Sequence, residues 1–332
     1  MKKILNSTED YVDEMLAGLV AAHPENYRLH GDSGKVVARA KSGSEGKVGI
    51  VSGGGSGHLP VFTGYVGKGL LDACAIGAVF SSPSTEQMAD AIRAADQGKG
   101  VLRLYGNYGG DVLNFDMAGD LVEFDDITCT TVLLTDDIAS APPEEHQKRR
   151  GVAGMVYAFK IAGAAAEEGR DLEAVTAIAQ KAADSCRSIG VALSSCTVPQ
   201  AGKPTFEIAD DEIEMGMGIH GEPGIWRGKL RTADEIASEM MERLLADMPL
   251  GSGDRVSVMV NSLGATPPEE LYILYNKVKA VLESTGSTIV MPLVGRYATS
   301  MEMAGVSFTL CKLDEDLENL LTAPCDCAFW RI

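Results

Sequence analysis

Val48-Gly49-Ile50-Val51 runs into Ser52-Gly53-Gly54-Gly55-Ser56-Gly57-His58, and the chain then passes through Ser84-Thr85-Glu86-Gln87 to Val101-Leu102-Arg103-Leu104-Tyr105. The outer runs are apolar and of strand length, and each closes on Gly, Ser or Asn. Between them Ser84 and Gln87 have the spacing of a capping box, which opens a helix through Met88 and Ile92. Strand, helix, strand in this order predicts a parallel sheet. Thr130-Thr131-Val132-Leu133-Leu134 adds a further strand.

Upstream, Tyr11, Val12, Met15, Leu16, Leu19 and Val20 recur at helical spacing behind Glu9-Asp10. Downstream, Ala-rich helical pattern runs from Val152 through Glu168 and from Leu172 to about Ser188. Strands are then expected at Val256 to Val260, Thr288 to Met291 and Val306 to Cys311, alternating with helices from the capping box Thr232-Ala233-Asp234-Glu235 and from near Pro267. The expected fold class is α/β, with two domains, each built on a mainly parallel sheet flanked by helices. The first, residues 1–186, carries the Gly-rich loop and Asp111, and the second, 187–332, carries His220. A chain of 332 residues exceeds the ~250–300 at which single cores stop growing.

A net charge of −18 argues against nucleic acid or an anionic membrane as partner and suits a cytoplasmic protein. The start Lys2-Lys3-Ile4-Leu5-Asn6 turns polar too early for a signal peptide, and no stretch approaches the ~18 apolar residues of a membrane span. Seven cysteines, odd in number and mostly in apolar stretches, read as reduced buried thiols. Cys325 and Cys327 are too close for a zinc knuckle, so no metal site is expected.

Three glycine-rich segments carry chemistry. At Gly53 to His58 the missing side chains would let backbone amides approach a small ligand; the bland alternative is a tight turn ending a buried strand. This segment has no G-x-G-x-x-G spacing and the chain has no G-x-x-x-x-G-K-[ST] anywhere, so a nucleotide site has no motif here. The second segment is Gly106-Asn107-Tyr108-Gly109-Gly110-Asp111, at the carboxyl end of a strand, where open α/β sheets bind ligands. Asp111 there is either a turn former or helix cap, or a base for a hydroxyl in phosphoryl transfer. In the third, Met215-Gly216-Met217-Gly218-Ile219-His220-Gly221-Glu222-Pro223-Gly224, a histidine again stands between glycines. His58, His220 and Asp111 together offer acid, base and nucleophile. His23, His30 and His146 lie in polar surroundings and read as solvated surface.

Taken jointly and in order, these segments resemble the K subunit of dihydroxyacetone kinase. The resemblance rests on Gly53 to His58, Gly64-Tyr65-Val66-Gly67-Lys68-Gly69, Asn107-Tyr108 with Gly110 to Phe115, and Arg149 to Gly154. It continues through Gly216 to Gly224, Gly264-Ala265-Thr266-Pro267, Glu270-Leu271-Tyr272, Thr299-Ser300 and Met303-Ala304-Gly305. It implies that His220 binds a short ketose covalently as a hemiaminal, that Asp111 is the base on the hydroxyl to be phosphorylated, and that His58 assists by hydrogen bonding. Gly54, Gly55, Ser56, Gly57, Gly106 and Asn107 would contact the substrate. It further implies a homodimer and a separate nucleotide-binding L-type subunit holding ATP or ADP with magnesium, with no cofactor on this chain. The phosphoryl donor would be ATP, or phosphoenolpyruvate through a phosphotransferase system.

The chain departs from the family pattern where Gly106 replaces a common Lys, Leu59 a common Glu and Gly109 a common Thr. A lost lysine removes a cationic donor and opens volume. Dihydroxyacetone and larger C4 or C5 ketoses such as erythrulose are therefore competing substrates. The alternative is a ketose-sensing coactivator without turnover, and retention of Asp111 favours the enzyme.

Overall fold

The computed structural model describes residues 2–41 and 46–332. It divides into two compact units, one of Met1–Leu134, Met155–Ala183 and Asn319–Ile332, the other of Thr135–Gly154 and Asp184–Glu318.

The first unit opens with α1 (Tyr11–Ala22), which buries Val12, Leu16 and Leu19. There follow β1 (Tyr27–His30), β2 (Val36–Arg39), β3 (Gly49–Ser56), β4 (Ala73–Val79), α2 (Thr85–Ala95), β5 (Val101–Gly106), α3 (Gly109–Glu123) and β6 (Cys129–Leu134). The strands form one sheet in the order β1-β2-β4-β3-β5-β6. Pairs β4–β3, β3–β5 and β5–β6 are parallel, as the strand, helix, strand order requires, and β1 and β2 extend the edge antiparallel. Ser84 and Gln87 do form a capping box, closing the N-terminus of α2. Met88, Ala89, Ile92 and Ala95 of this helix pack with Val51, Val101, Tyr105 and Phe115 in one core cluster. Each large aliphatic side chain so buried contributes about 1.5–3 kcal/mol.

Helices α4 (Gly154–Glu167) and α5 (Leu172–Asp184) follow. The helical pattern expected to reach Ser188 stops earlier, because Cys186–Ala192 is strand β7. There Ile189 and Val191 alternate into a sheet core, a period of two that the preceding Ala-rich run masks.

The second unit contains β7, β8 (Glu212–Met215), β9 (Trp226–Lys229), α6 (Ala233–Asp247), β10 (Arg255–Ser262), α7 (Pro268–Ser284), β11 (Thr288–Ile289), β12 (Leu293–Gly295) and β13 (Gly305–Leu313). Helix α8 (Glu315–Thr322) comes last in the chain, and its residues from Asn319 on are counted with the first unit. Thr232 and Glu235 cap α6 as expected. The sheet runs β11-β10-β13-β7-β8-β9, with β12 also on β10. Here the expectation of a mainly parallel sheet is corrected: only β11 and β12 pair parallel with β10, and the other four pairings are antiparallel. The apolar runs misled because β13 is buried on both faces. Val306, Phe308 and Leu310 enter the core cluster shared with α6 and α7, while Ser307, Thr309 and Cys311 between them are buried too. Double burial is usual for parallel strands and rarer for antiparallel ones.

Among the described residues no helix is long and apolar enough to cross a membrane, and no cluster of His, Cys, Asp and Glu could hold a metal ion. All seven cysteines are free thiols, six of them buried.

Candidate functional site

In the first unit, Gly53, Gly54 and Gly55 lie within β3 and not in a loop, correcting the expectation drawn from their sequence. Their need for glycine is internal. A Cβ on Gly54 would meet the Phe62 ring at 2.4 Å, and one on Gly55 the Ser81 amide nitrogen at 2.6 Å. Only Gly57, with φ +106°, adopts a backbone that a side chain resists, and it turns the chain into His58. Ser56 Oγ is buried without a hydrogen-bond partner among the described residues, a costly state for a hydroxyl unless a ligand or water satisfies it.

His58 is 2% exposed, and its imidazole stacks on Phe80 with centroids 5.0 Å apart and planes at 20°. Phe80 has φ +57°, a left-handed conformation that costs a bulky residue energy and clusters at functional sites. Gly106 is buried at the end of β5, and Asn107 beyond it donates its backbone N–H to Leu134 O at 3.1 Å.

Asp111 lies in the first turn of α3, with Tyr108 in the N-cap position, and is 7% exposed. It is therefore neither a turn former nor the cap. The helix N-terminus favours its negative form. A Cβ on Gly109 would meet nothing within 4 Å, whereas one on Gly110 would meet Ser82 Oγ at 2.6 Å, so Gly110 is the packing glycine of the pair.

In the second unit, Gly216 (φ +82°) and Gly221 (φ +86°) bracket the His220 turn. Gly218 N–H donates to Glu222 O and Gly221 N–H to Gly218 O, each at 3.0 Å. Ser300 Oγ–H donates to Ile219 O and fixes the turn from the far side. His220 is part-buried, with Nδ1 3.0 Å from Glu222 Oε1, and its backbone N–H donates to Glu222 Oε2 at 2.9 Å. Burial opposes the charge on Glu222, but hydrogen bonding and charge from His220, with Arg150 behind, outweigh it and hold the carboxyl at about 2.

Arg150 donates from Nε to Asp137 Oδ2 at 2.9 Å, and its Nη1 lies 3.8 Å from Glu222 Oε2. Burial pushes the Asp137 carboxyl up to about 6 against the pull of Arg150. Glu222, Arg150 and Asp137 were not singled out as site residues from sequence. The sequence signals were the i, i+2 spacing of His220 and Glu222 and the place of Arg150 in the Arg149 to Gly154 segment of the resemblance, seventy positions from His220.

Of the remaining histidines, His146 is exposed as expected, but His23 and His30 are half-buried. The His23 ring lies 5.9 Å from that of Tyr27, four residues on, and 6.1 Å from that of Phe329, which is distant in sequence.

Residues 17–329 match the Dak1 domain. The chain is 48% identical over 332 residues to the dihydroxyacetone-binding subunit of PTS-dependent dihydroxyacetone kinase 1 of Listeria innocua, covering 99% of this chain and all of that one. It is 46% identical to the L-erythrulose kinase of Pectobacterium atrosepticum, spanning 56% of that longer protein. Among solved structures, the dihydroxyacetone kinase of C. freundii superposes with a TM-score of 0.91 at 33% identity, over 99% of this chain and 60% of that one.

Proposed function

The chain belongs to the Dak1 domain family, and on that premise we propose that it is the ketose-binding subunit of a dihydroxyacetone-type kinase. His220 captures the ketone carbon of a short ketose as a hemiaminal. Asp111 accepts the proton of the hydroxyl that attacks the phosphoryl group, and His58 hydrogen-bonds the substrate. A cytoplasmic L-type partner supplies the nucleotide and magnesium, or relays a phosphoryl group from phosphoenolpyruvate. The observation that carries the proposal is the His220 turn, where glycines and Glu222 hold a part-buried imidazole in one orientation. The buried Ser56 hydroxyl supports a polar ligand beside Gly57 and His58.

Capture balances as follows. A ring nitrogen lone pair forms the N–C bond, and the carbonyl π pair moves to oxygen, which takes a proton from water. The ring gives one proton back to water. Covalent attachment compensates for the few atoms of a C3 or C4 ketose and rejects polyols, which have no carbonyl.

The test is a crystal soaked with dihydroxyacetone or erythrulose. Continuous density from the His220 ring to a tetrahedral carbon is expected, and a planar, detached ketone in a fully occupied site would refute capture. A coupled assay with an L-type subunit then separates the kinase from a coactivator, which would capture ketose without turnover.

Specificity follows from Gly106 and Leu59. A site lacking the lysine donor should tolerate C4 and C5 ketoses, with discrimination of about 1–3 kcal/mol per methylene if volume alone decides. Gly106→Lys is expected to lower kcat/KM for erythrulose more than for dihydroxyacetone. Equal losses, or a wild type that strongly prefers dihydroxyacetone, would count against this view of the pocket.

A further inference from the structure

We infer that Glu222, backed by the Arg150–Asp137 ion pair, is a positioning relay that holds His220 as the Nδ1–H tautomer and so makes Nε2 its nucleophilic nitrogen. This rests on the proposed capture by His220 and names the groups that ready it.

An ionised carboxylate only accepts hydrogen bonds. With Glu222 Oε1 3.0 Å from Nδ1, that nitrogen must carry the proton, and a neutral ring then has its lone pair on Nε2. Oε2 of the same carboxylate accepts the His220 backbone N–H at 2.9 Å. Glu222 thereby fixes both ends of one residue, its ring and its main chain.

Arg150 keeps Glu222 anionic and in place, and is itself anchored on the buried Asp137 through Nε at 2.9 Å and Nη2 at 2.8 Å. Asp137 Oδ1 is fixed in turn by the Ala139 N–H at 3.1 Å. Four side chains thus stand in series, and only the last is a nucleophile.

Gly218 shows that the space is built for the relay. A Cβ there would lie 2.2 Å from Glu222 Oε2 and 2.6 Å from Arg150 Nη1. Any side chain at position 218 would push the carboxylate off His220. During capture the Nε2 lone pair forms the N–C bond and the ring sheds its Nδ1 proton to water by way of Glu222. The hemiaminal oxygen takes one proton from water, so none is gained or lost.

The experiment uses the whole chain with 15N-labelled histidine and [2-13C]dihydroxyacetone. In the wild type, above the imidazole titration range, His220 should show the Nδ1–H tautomer, and a protein-bound tetrahedral C2 signal should appear that His220→Ala abolishes. In Glu222→Gln the amide can donate to Nδ1, so His220 should move to the Nε2–H tautomer and capture should weaken by about 10–100-fold, the usual size of such supporting contacts. Gly218→Ala should change both signals in the same direction.

Glu222→Gln with the wild-type tautomer and capture overturns the relay. So does an Nε2–H tautomer in the wild type, which needs no variant to fold. A wild type with no bound tetrahedral signal overturns capture itself, a result distinct from unaltered capture in Glu222→Gln.

Discussion

Asp111→Asn is expected to keep ketose capture on His220 and lose phosphoryl transfer by about 10²–10⁴-fold, the range of a general base. The substitution changes little else. Asn matches Asp in size, and the position lies in the first turn of α3, where the fold rests on Gly110 against Ser82 and on Val112 N–H bonding Tyr108 O at 2.9 Å. Its amide cannot take the substrate proton. Turnover in the coupled assay and the bound tetrahedral carbon signal are therefore expected to separate, the first falling and the second staying. A kcat within about tenfold of wild type would remove Asp111 from the role of base. Loss of capture together with turnover would make it a binding residue instead.

Asp247→Ala is expected to destabilise the second unit by about 3–5 kcal/mol, the cost of leaving a buried charge without its partner. Arg149 is 1% exposed, and its Nη1 and Nη2 donate to Asp247 Oδ1 and Oδ2 at 2.9 and 2.6 Å, while Nε donates to Ala141 O at 2.8 Å. Arg187 adds a second cation to the same carboxylate. Urea unfolding followed by Trp226 fluorescence in a Trp330→Phe background reads this unit. Arg149→Met combined with Asp247→Leu should recover much of the loss, since the fully buried charge goes with its partner and only Arg187, whose side chain is 22% exposed, loses a carboxylate. Burial works against the Asp247 carboxylate, but the two arginines win and lower its pKa. Its contribution therefore stands above the ordinary carboxylate value of about 3.9 and disappears as pH falls through the lowered folded value. An Asp247→Ala change under about 1 kcal/mol would show the pair to be energetically idle.

Sequence alone fixed what neighbours along the chain decide. The capping boxes at Ser84 and Thr232 form as expected, because a hydroxyl and a carboxylate or amide three residues apart satisfy backbone donors with no help from elsewhere. Strands β3, β5, β6, β10 and β13 were legible as apolar runs. Strand β4 was not, since Ala73 to Val79 has Ala and Gly where a β-branched pattern is read. His58, Asp111 and His220 could be picked out because chemistry-bearing side chains among glycines are rare, and family resemblance supplied their roles.

Tertiary structure alone decided the partners. Gly54 and Gly55 of β3 are required by the Phe62 ring and by the backbone of Phe80 and Ser81, and not by an open loop. Arg149 meets Asp247 across 98 positions, and Arg150 reaches Glu222 across seventy-two. The direction of β13 against β10 and β7 is likewise invisible locally, because a strand buried on both faces has the same composition whichever way its neighbours run. Capping and periodicity are competitions among backbone groups a few residues apart, whereas ion pairing and strand pairing depend on which distant segments the folded core brings within hydrogen-bond reach.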